Sequence, residues 1–218
     1  MLHDISEQSA RSLMTDLGLS VQKARLYAAN DYYSTAISFY NQALDLLKSI
    51  SDTEDERINI FLEQSELYEP YGDYASGIAT LYEVIKLCAD RLPEKQALAH
   101  IRIAFFLTQL DNIPLAKNHL CTASKLIQQI PDTAQSTIDF LQYRLNNTWA
   151  NIYSSQNPDS AFIFLDLAQR HARNDIKKVQ VIFQNKAVLY FYSTSKNMIL
   201  PRFSHAKPWP STMTNTTN

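Results

Sequence analysis

The stretch Tyr33-Ser34-Thr35-Ala36-Ile37-Ser38-Phe39-Tyr40-Asn41-Gln42-Ala43-Leu44 decides the fold. It sets a small residue, a large one and a second small one at i, i+4 and i+7. That spacing puts Ala36, Tyr40 and Ala43 on one helix face. It returns as Gly77, Leu81 and Val84, as Ala116, Leu120 and Ala123, and as Ala161, Leu165 and Ala168. The leading residues lie 41, 39 and 45 positions apart. A small residue at the head of each stripe lets a second helix approach closely. Recurrence at such a period marks stacked helical hairpins, each burying its face against the next. The sequence therefore predicts an all-α chain of about four antiparallel hairpins plus a C-terminal helix.

Composition agrees. An apolar content of 45% with 19% charged residues supports a packed core. Only 3 glycines and 8 prolines suit helices on short connections better than a sheet. A formal charge of −2 gives no general attraction to nucleic acid or anionic lipid, so neither is expected as a partner. Cys88 and Cys121 fall within predicted helices and are expected to pack as small apolar residues. No C-x-x-C or Cys/His ligand spacing supports a zinc or redox site. The acid-bearing start Met-Leu-His-Asp-Ile-Ser-Glu is not a signal peptide. No apolar run reaches membrane-spanning length, so the expected location is cytoplasmic.

Local signals divide the chain further. An opening helix is expected over Ser6–Leu17, capped by Ser6 and ended by Gly18, with Ser20 capping a next helix over Val21–Ala29. Asn30-Asp31 turns into a helix from Tyr33 to about Ser49. Thr53 and Glu56 have capping-box spacing, and Pro70 marks the fraying end of the helix that follows. Tyr71-Gly72-Asp73 leads into Tyr74–Asp90. Pro93 opens another helix, and Asp111-Asn112 turns into one near Pro114. Asn157-Pro158-Asp159 is the clearest cap, and Asn174-Asp175 opens a last helix over Ile176–Ser193.

The segment from Asn30 to Leu44 resembles the turn and second helix of the tetratricopeptide repeat, G-D-Y-x-x-A-x-x-x-Y-x-x-A-L, and Gly72-Asp73-Tyr74 with Gly77 and Leu81 repeats it. Nine residues before each leading small residue stand Tyr27, Tyr68, Leu107 and Ile152. Twelve before stand Ala24, Ser65, Ala104 and Trp149, and Trp149 departs from the family's small residue there. The intervals exceed the family's usual repeat, as in its long-repeat branches found in bacterial sensor and regulator proteins. The resemblance implies a right-handed superhelical solenoid over residues 1–196, while the proline- and Thr/Asn-containing residues 197–218 read as a disordered tail.

Catalytic patterns are missing from the sequence. His3, His100, His119, His171 and His205 are scattered, with no H-E-x-x-H, phosphate loop or nucleophile elbow, so no enzyme, metal or cofactor is expected. His100 and His119 read as packing or surface residues. Asp52, Glu54, Asp55 and Glu56 read as a solvated helix start; Arg170, Arg173, Lys177 and Lys178 read as solvating helix ends.

In the resembled family the first helix of each hairpin lines a concave surface. Carrying that register over gives Gln22 and Arg25, then Asn59, Glu63 and Glu66, then Arg102, Phe105 and Gln109. It continues with Tyr143, Asn146, Asn147 and Tyr153, and ends on Gln184 and Asn185. Asparagine and glutamine supply donor and acceptor together, which suits an extended peptide backbone, and tyrosine adds flat area with a polar tip. The carboxylate clamp of chaperone-binding members is absent, with Val21 where a polar group would stand. The expected function is a non-catalytic protein- or peptide-binding scaffold. The alternative is the sensory region of a signalling protein whose kinase, cyclase or transcription-regulator part lies elsewhere. The apolar face Val181, Ile182, Val188, Leu189, Phe191 and Tyr192 of the last helix implies a continued array, a docked partner or self-association.

Overall fold

A computed structural model describes the backbone of residues 2–89, 91–173 and 175–194, with side chains from Arg11 onward save those of Tyr192 and Thr194. Residues 197–218, expected as a tail, lie outside the described residues. Among the described residues the regular structure is wholly helical. The elements are α1 (Leu2–Ala29), α2 (Tyr33–Leu47), α3 (Glu54–Tyr71), α4 (Tyr74–Cys88), α5 (Pro93–Gln109) and α6 (Ile113–Ile127). A 3-10 turn, Asp132–Ala134, precedes α7 (Gln135–Tyr153), α8 (Pro158–Ala172) and α9 (Ile176–Thr194). Two compact units divide them, one ending at Ile130 and the other starting at Pro131.

In the first unit each helix packs against the next along the chain. The stripes explain why. Ala36, Tyr40, Ala43, Leu81, Val84, Ala116, Leu120 and Ala123 are all buried. Three hairpin turns share one chemistry. Asp31, Gly72 and Asp111 adopt positive φ of 62°, 81° and 65°. The following N–H then reaches back five residues: Tyr32 to Tyr27 O at 3.0 Å, Asp73 to Tyr68 O at 3.1 Å, Asn112 to Leu107 O at 2.8 Å. This left-handed step closes a helix C-terminus and favours glycine, which only the second turn supplies. Asp73 Oδ1 then accepts the Ser76 N–H at 3.1 Å, capping α4.

Gly77 has a different reason. A Cβ there would lie 2.5 Å from Phe106 Cε2, so the α5 ring sits directly on α4 backbone. The other stripes carry alanine at this place.

Several sequence expectations are corrected. Gly18 does not end a helix, and neither Ser6 nor Ser20 starts one, because α1 runs unbroken through all three. Leu17, Val21 and Ala24 continue one face across Gly18 and pack on the α1–α2 core, which holds the helix through it. Thr53 makes no side-chain cap to α3. Its buried hydroxyl lies 3.4 Å from both Leu47 O and Ile50 O, turned back onto the end of α2 instead. Pro70 stands, as expected, at the end of its helix: α3 stops one residue later at Tyr71, with Gly72 in the left-handed C-cap.

In the second unit α7 packs on α8 and α8 on α9. Leu165, Ile182 and Leu189 are fully buried, joined by Ala150, Ala161, Ala168 and Ala172, and each large aliphatic contributes about 1.5–3 kcal/mol by leaving water. Asn157 Oδ1 accepts the Ser160 N–H at 3.1 Å, so the expected cap of α8 is made. Trp149 is accommodated by stacking rather than by a small-residue contact. Its ring centroid lies 5.7 Å from that of Phe164 and 5.9 Å from that of Tyr153, nearly parallel to both, while Ala150 beside it is fully buried.

Candidate functional site

The polar residues of the first helices are joined helix to helix. In the first unit Arg25 on α1 grips Glu63 on α3 side-on through one guanidinium edge, Nε at 2.8 Å and Nη2 at 2.6 Å. The Tyr40 hydroxyl donates to the same carboxylate at 2.9 Å. Glu63 is held below the usual carboxylate range, chiefly by the Arg25 bonds, with burial opposing and Tyr40 assisting. Burial and then Glu63 push the Tyr40 phenol up. Two further links run from α5 to α3. Lys95 donates to Asn59, and Arg102 pairs with Glu66. Arg102 also donates to Leu62 O at 2.6 Å and Ser65 Oγ at 2.8 Å. At the helix starts Arg91 pairs with Glu54 at 2.5 Å.

Exposure separates these residues. The side chains of Arg25 and Glu66 are 59% and 62% exposed, while that of Arg102 is 7% exposed. Gln22 and Asn59 are exposed, and Phe105 and Gln109 are half-buried. Arg25, Asn59, Glu63 and Glu66 thus stand on α1 and α3 with edges toward solvent. Arg102 is committed to α3.

In the second unit Asn185 on α9 donates to Asn147 on α7 at 2.9 Å. Asn146 is buried and turned onto its own helix, donating to Gln142 O at 2.8 Å. Tyr143 is buried and Tyr153 lies in the Trp149–Phe164 stack. Gln184 is half-buried on α9. On α9, Ile182 and Leu189 of the expected apolar face are buried, whereas Phe183, Tyr190 and Phe191 are exposed.

Sequence reasoning missed four features. Asn41 on α2 accepts from Gln64 on α3 at 2.8 Å. His100 and His119 are paired rather than separate. Asp139 accepts from Gln135 at 3.1 Å and faces His171 Nδ1 at 3.1 Å and Arg173. Burial pushes the Asp139 carboxyl up, yet His171, Gln135 and Arg173 together hold it below its ordinary value. Lys178, expected only to solvate a helix end, lies over the Phe140 and Tyr143 rings at 5.4 and 5.7 Å, with Asp175 at 3.2 Å. Of the cysteines, Cys88 is buried, which pushes its thiol to about 11, whereas Cys121 faces solvent.

A signal for the links did exist. Arg25–Glu63, Asn59–Lys95, Glu66–Arg102, Glu54–Arg91 and Asn147–Asn185 are separated by 38, 36, 36, 37 and 38 residues. Complementary side chains one repeat apart on first helices are candidates for cross-repeat bonds.

Among the described residues no cluster of three or more His, Cys, Asp or Glu could hold a metal ion. No described helix is long and apolar enough to cross a membrane. Comparison with protein-family models and with curated proteins returns no match.

Proposed function

We propose that this chain is a tetratricopeptide-like protein of the right-handed superhelical kind, a non-catalytic scaffold whose first helices receive a protein or peptide segment. The observation that supports the reading is the set of one-repeat links along α1, α3 and α5. Free surface arginine and glutamate lose side-chain entropy when a ligand fixes them. Here Arg25, Glu63 and Asn59 are already held by Tyr40, Lys95 and one another, so their outward edges are pre-organised for a ligand. Alternating donors and acceptors along that face match the main chain of an extended peptide better than a single-sign ligand.

The test is selection of peptides from a random displayed library on the full chain, followed by NMR shift mapping of the selected sequence. Expected perturbations centre on Gln22, Arg25, Asn59 and Glu66, and Arg25→Ala with Asn59→Ala lowers affinity at least tenfold while the circular dichroism spectrum is retained. Selected peptides that map away from α1 and α3, or that ignore both substitutions, would refute the assignment.

A further inference from the structure

Tyr82 on α4, His119 on α6 and His100 on α5 form a chain in the first unit that starts at the exposed Tyr82 ring. The Tyr82 hydroxyl lies 3.3 Å from His119 Nε2, and the two histidines meet Nδ1 to Nδ1 at 2.8 Å. Their ring centroids are 5.0 Å apart. At that nitrogen separation one proton fits between the rings and two do not. With both rings neutral, one Nδ1 carries the hydrogen and the other offers its lone pair. One added proton can ride on the outer nitrogen of the donor ring and leave the bond intact, but it charges a pair of which His119 is buried and His100 half-buried. A second sets two N–H groups face to face.

Among the described residues neither ring has a carboxylate partner to offset those charges. From α4 the titratable group in contact is Tyr82; Lys86, one turn further, is paired with Glu83 at 3.8 Å. From α3, Glu63 and Glu66 are held by Arg25 and Arg102. On α5 itself Lys95 bonds Asn59, and Arg102 turns to α3. On α6, Cys121 and Lys125 are exposed. No carboxylate faces the pair among these groups.

We propose that the His100–His119 pair, backed by Tyr82, is an acid-operated latch that holds α6 on α5 while the rings are neutral and releases it when both are protonated. Burial, and then the charge of His119, pushes the His100 imidazole down to about 4, and burial lowers that of His119. In an opened state both return to the ordinary range near 6.5. The latch is therefore fully effective above about pH 6.5 and weakens as pH falls from there toward 4. His100 alone favours opening by roughly tenfold per pH unit in that window, and His119, lowered by burial, adds in the same direction.

Two measurements on the full chain test this. Imidazole NMR is expected to find both rings neutral at pH 7, in opposite Nδ1/Nε2 tautomers, and titrating below 6.5. Hydrogen exchange, corrected for intrinsic rates, is expected to show α5 and α6 amides opening more than tenfold more often at pH 5 than at pH 7, with α2 amides unchanged. In His100→Gln/His119→Gln that pH dependence disappears. Histidines titrating independently near 6.5, or α6 exchange following the same pH slope as α2, would overturn the latch. The NMR readout needs no variant, so a misfolded double substitution leaves the proposal open to refutation.

Discussion

Two glycines lie within helices here, Gly18 midway along α1 and Gly77 in the first turn of α4, and replacing each with alanine is expected to give opposite results. Gly18 on α1 has nothing within 4 Å of where a Cβ would stand. Gly18→Ala therefore gains only backbone rigidity and helix propensity, about 0.5–1 kcal/mol. Gly77→Ala gains the same amount but drives the new methyl to 2.5 Å from Phe106 Cε2 and 3.1 Å from Cδ2 and Cζ. Ordinary contact begins at 3.4 Å, so the ring edge has to withdraw by roughly an ångström. It has little room. Phe106 is 2% exposed and lies against Tyr74 at 5.7 Å and Phe105 at 5.9 Å. Overpacking of this kind costs about 1–3 kcal/mol, leaving Gly77→Ala destabilised by about 1 kcal/mol after the propensity gain. Urea unfolding followed by circular dichroism measures both variants. Phe106→Leu in combination with Gly77→Ala makes the space, and the double-mutant cycle is expected to return a coupling of about 1 kcal/mol or more. If Gly77→Ala proves as stabilising as Gly18→Ala, the close approach of α5 to α4 is wrong.

Other substitutions sort the remaining interactions. Arg102→Ala is expected to cost about 2–4 kcal/mol, because it empties a buried site and removes the charged bonds to Leu62 O and Ser65 Oγ, which keep their bond to each other at 2.7 Å, while Glu66→Gln costs under about 1 kcal/mol since its side chain is exposed. Urea midpoints compare the two. Asp31→Gly and Asp111→Gly are each expected to raise thermal stability, by about 0.5–1 kcal/mol, by relieving the left-handed turn that Gly72 already serves. Asn157→Ala is expected to cost about 1 kcal/mol, whereas Thr53→Val, removing no cap, changes stability by under about 1 kcal/mol. Glu63, with its lowered pKa, stabilises the fold above the ordinary carboxylate range. That contribution is lost as pH falls below about 4.5, and a Glu63→Gln chain should show a shallower acid limb in pH-dependent unfolding.

The buried stripe was readable because packing at i, i+4 and i+7 is a local constraint: Ala36, Tyr40, Leu120 and Leu165 are where their periodicity puts them. Asn157 and Gly72 were readable for the same reason, since cap and stop chemistry involve neighbours in sequence. Gly18 and Thr53 were not, because tertiary contacts overrode local preference. A continuous apolar face carried α1 through its glycine, and a neighbouring helix end claimed the threonine hydroxyl. The polar face was half legible. Register put Arg25, Asn59, Glu63 and Glu66 where they have edges toward solvent, but it also picked Arg102, Tyr143 and Asn146, which are buried, and which side chains bond across hairpins depends on the alignment of helices some 36–38 residues apart in sequence. His100 and His119, 19 residues apart on an antiparallel pair, carried no such periodic mark.

The alternation of charge along the first three odd-numbered helices has a consequence for how this chain can evolve. Arginine on α1, glutamate on α3 and arginine on α5 make the middle hairpin acidic toward both flanks. Copying that hairpin in place would set acid against acid, and exchanging it with a flanking one would set base against base. The order of these three hairpins is therefore written into their edges, and growth of the array by simple tandem duplication would have to add them two at a time.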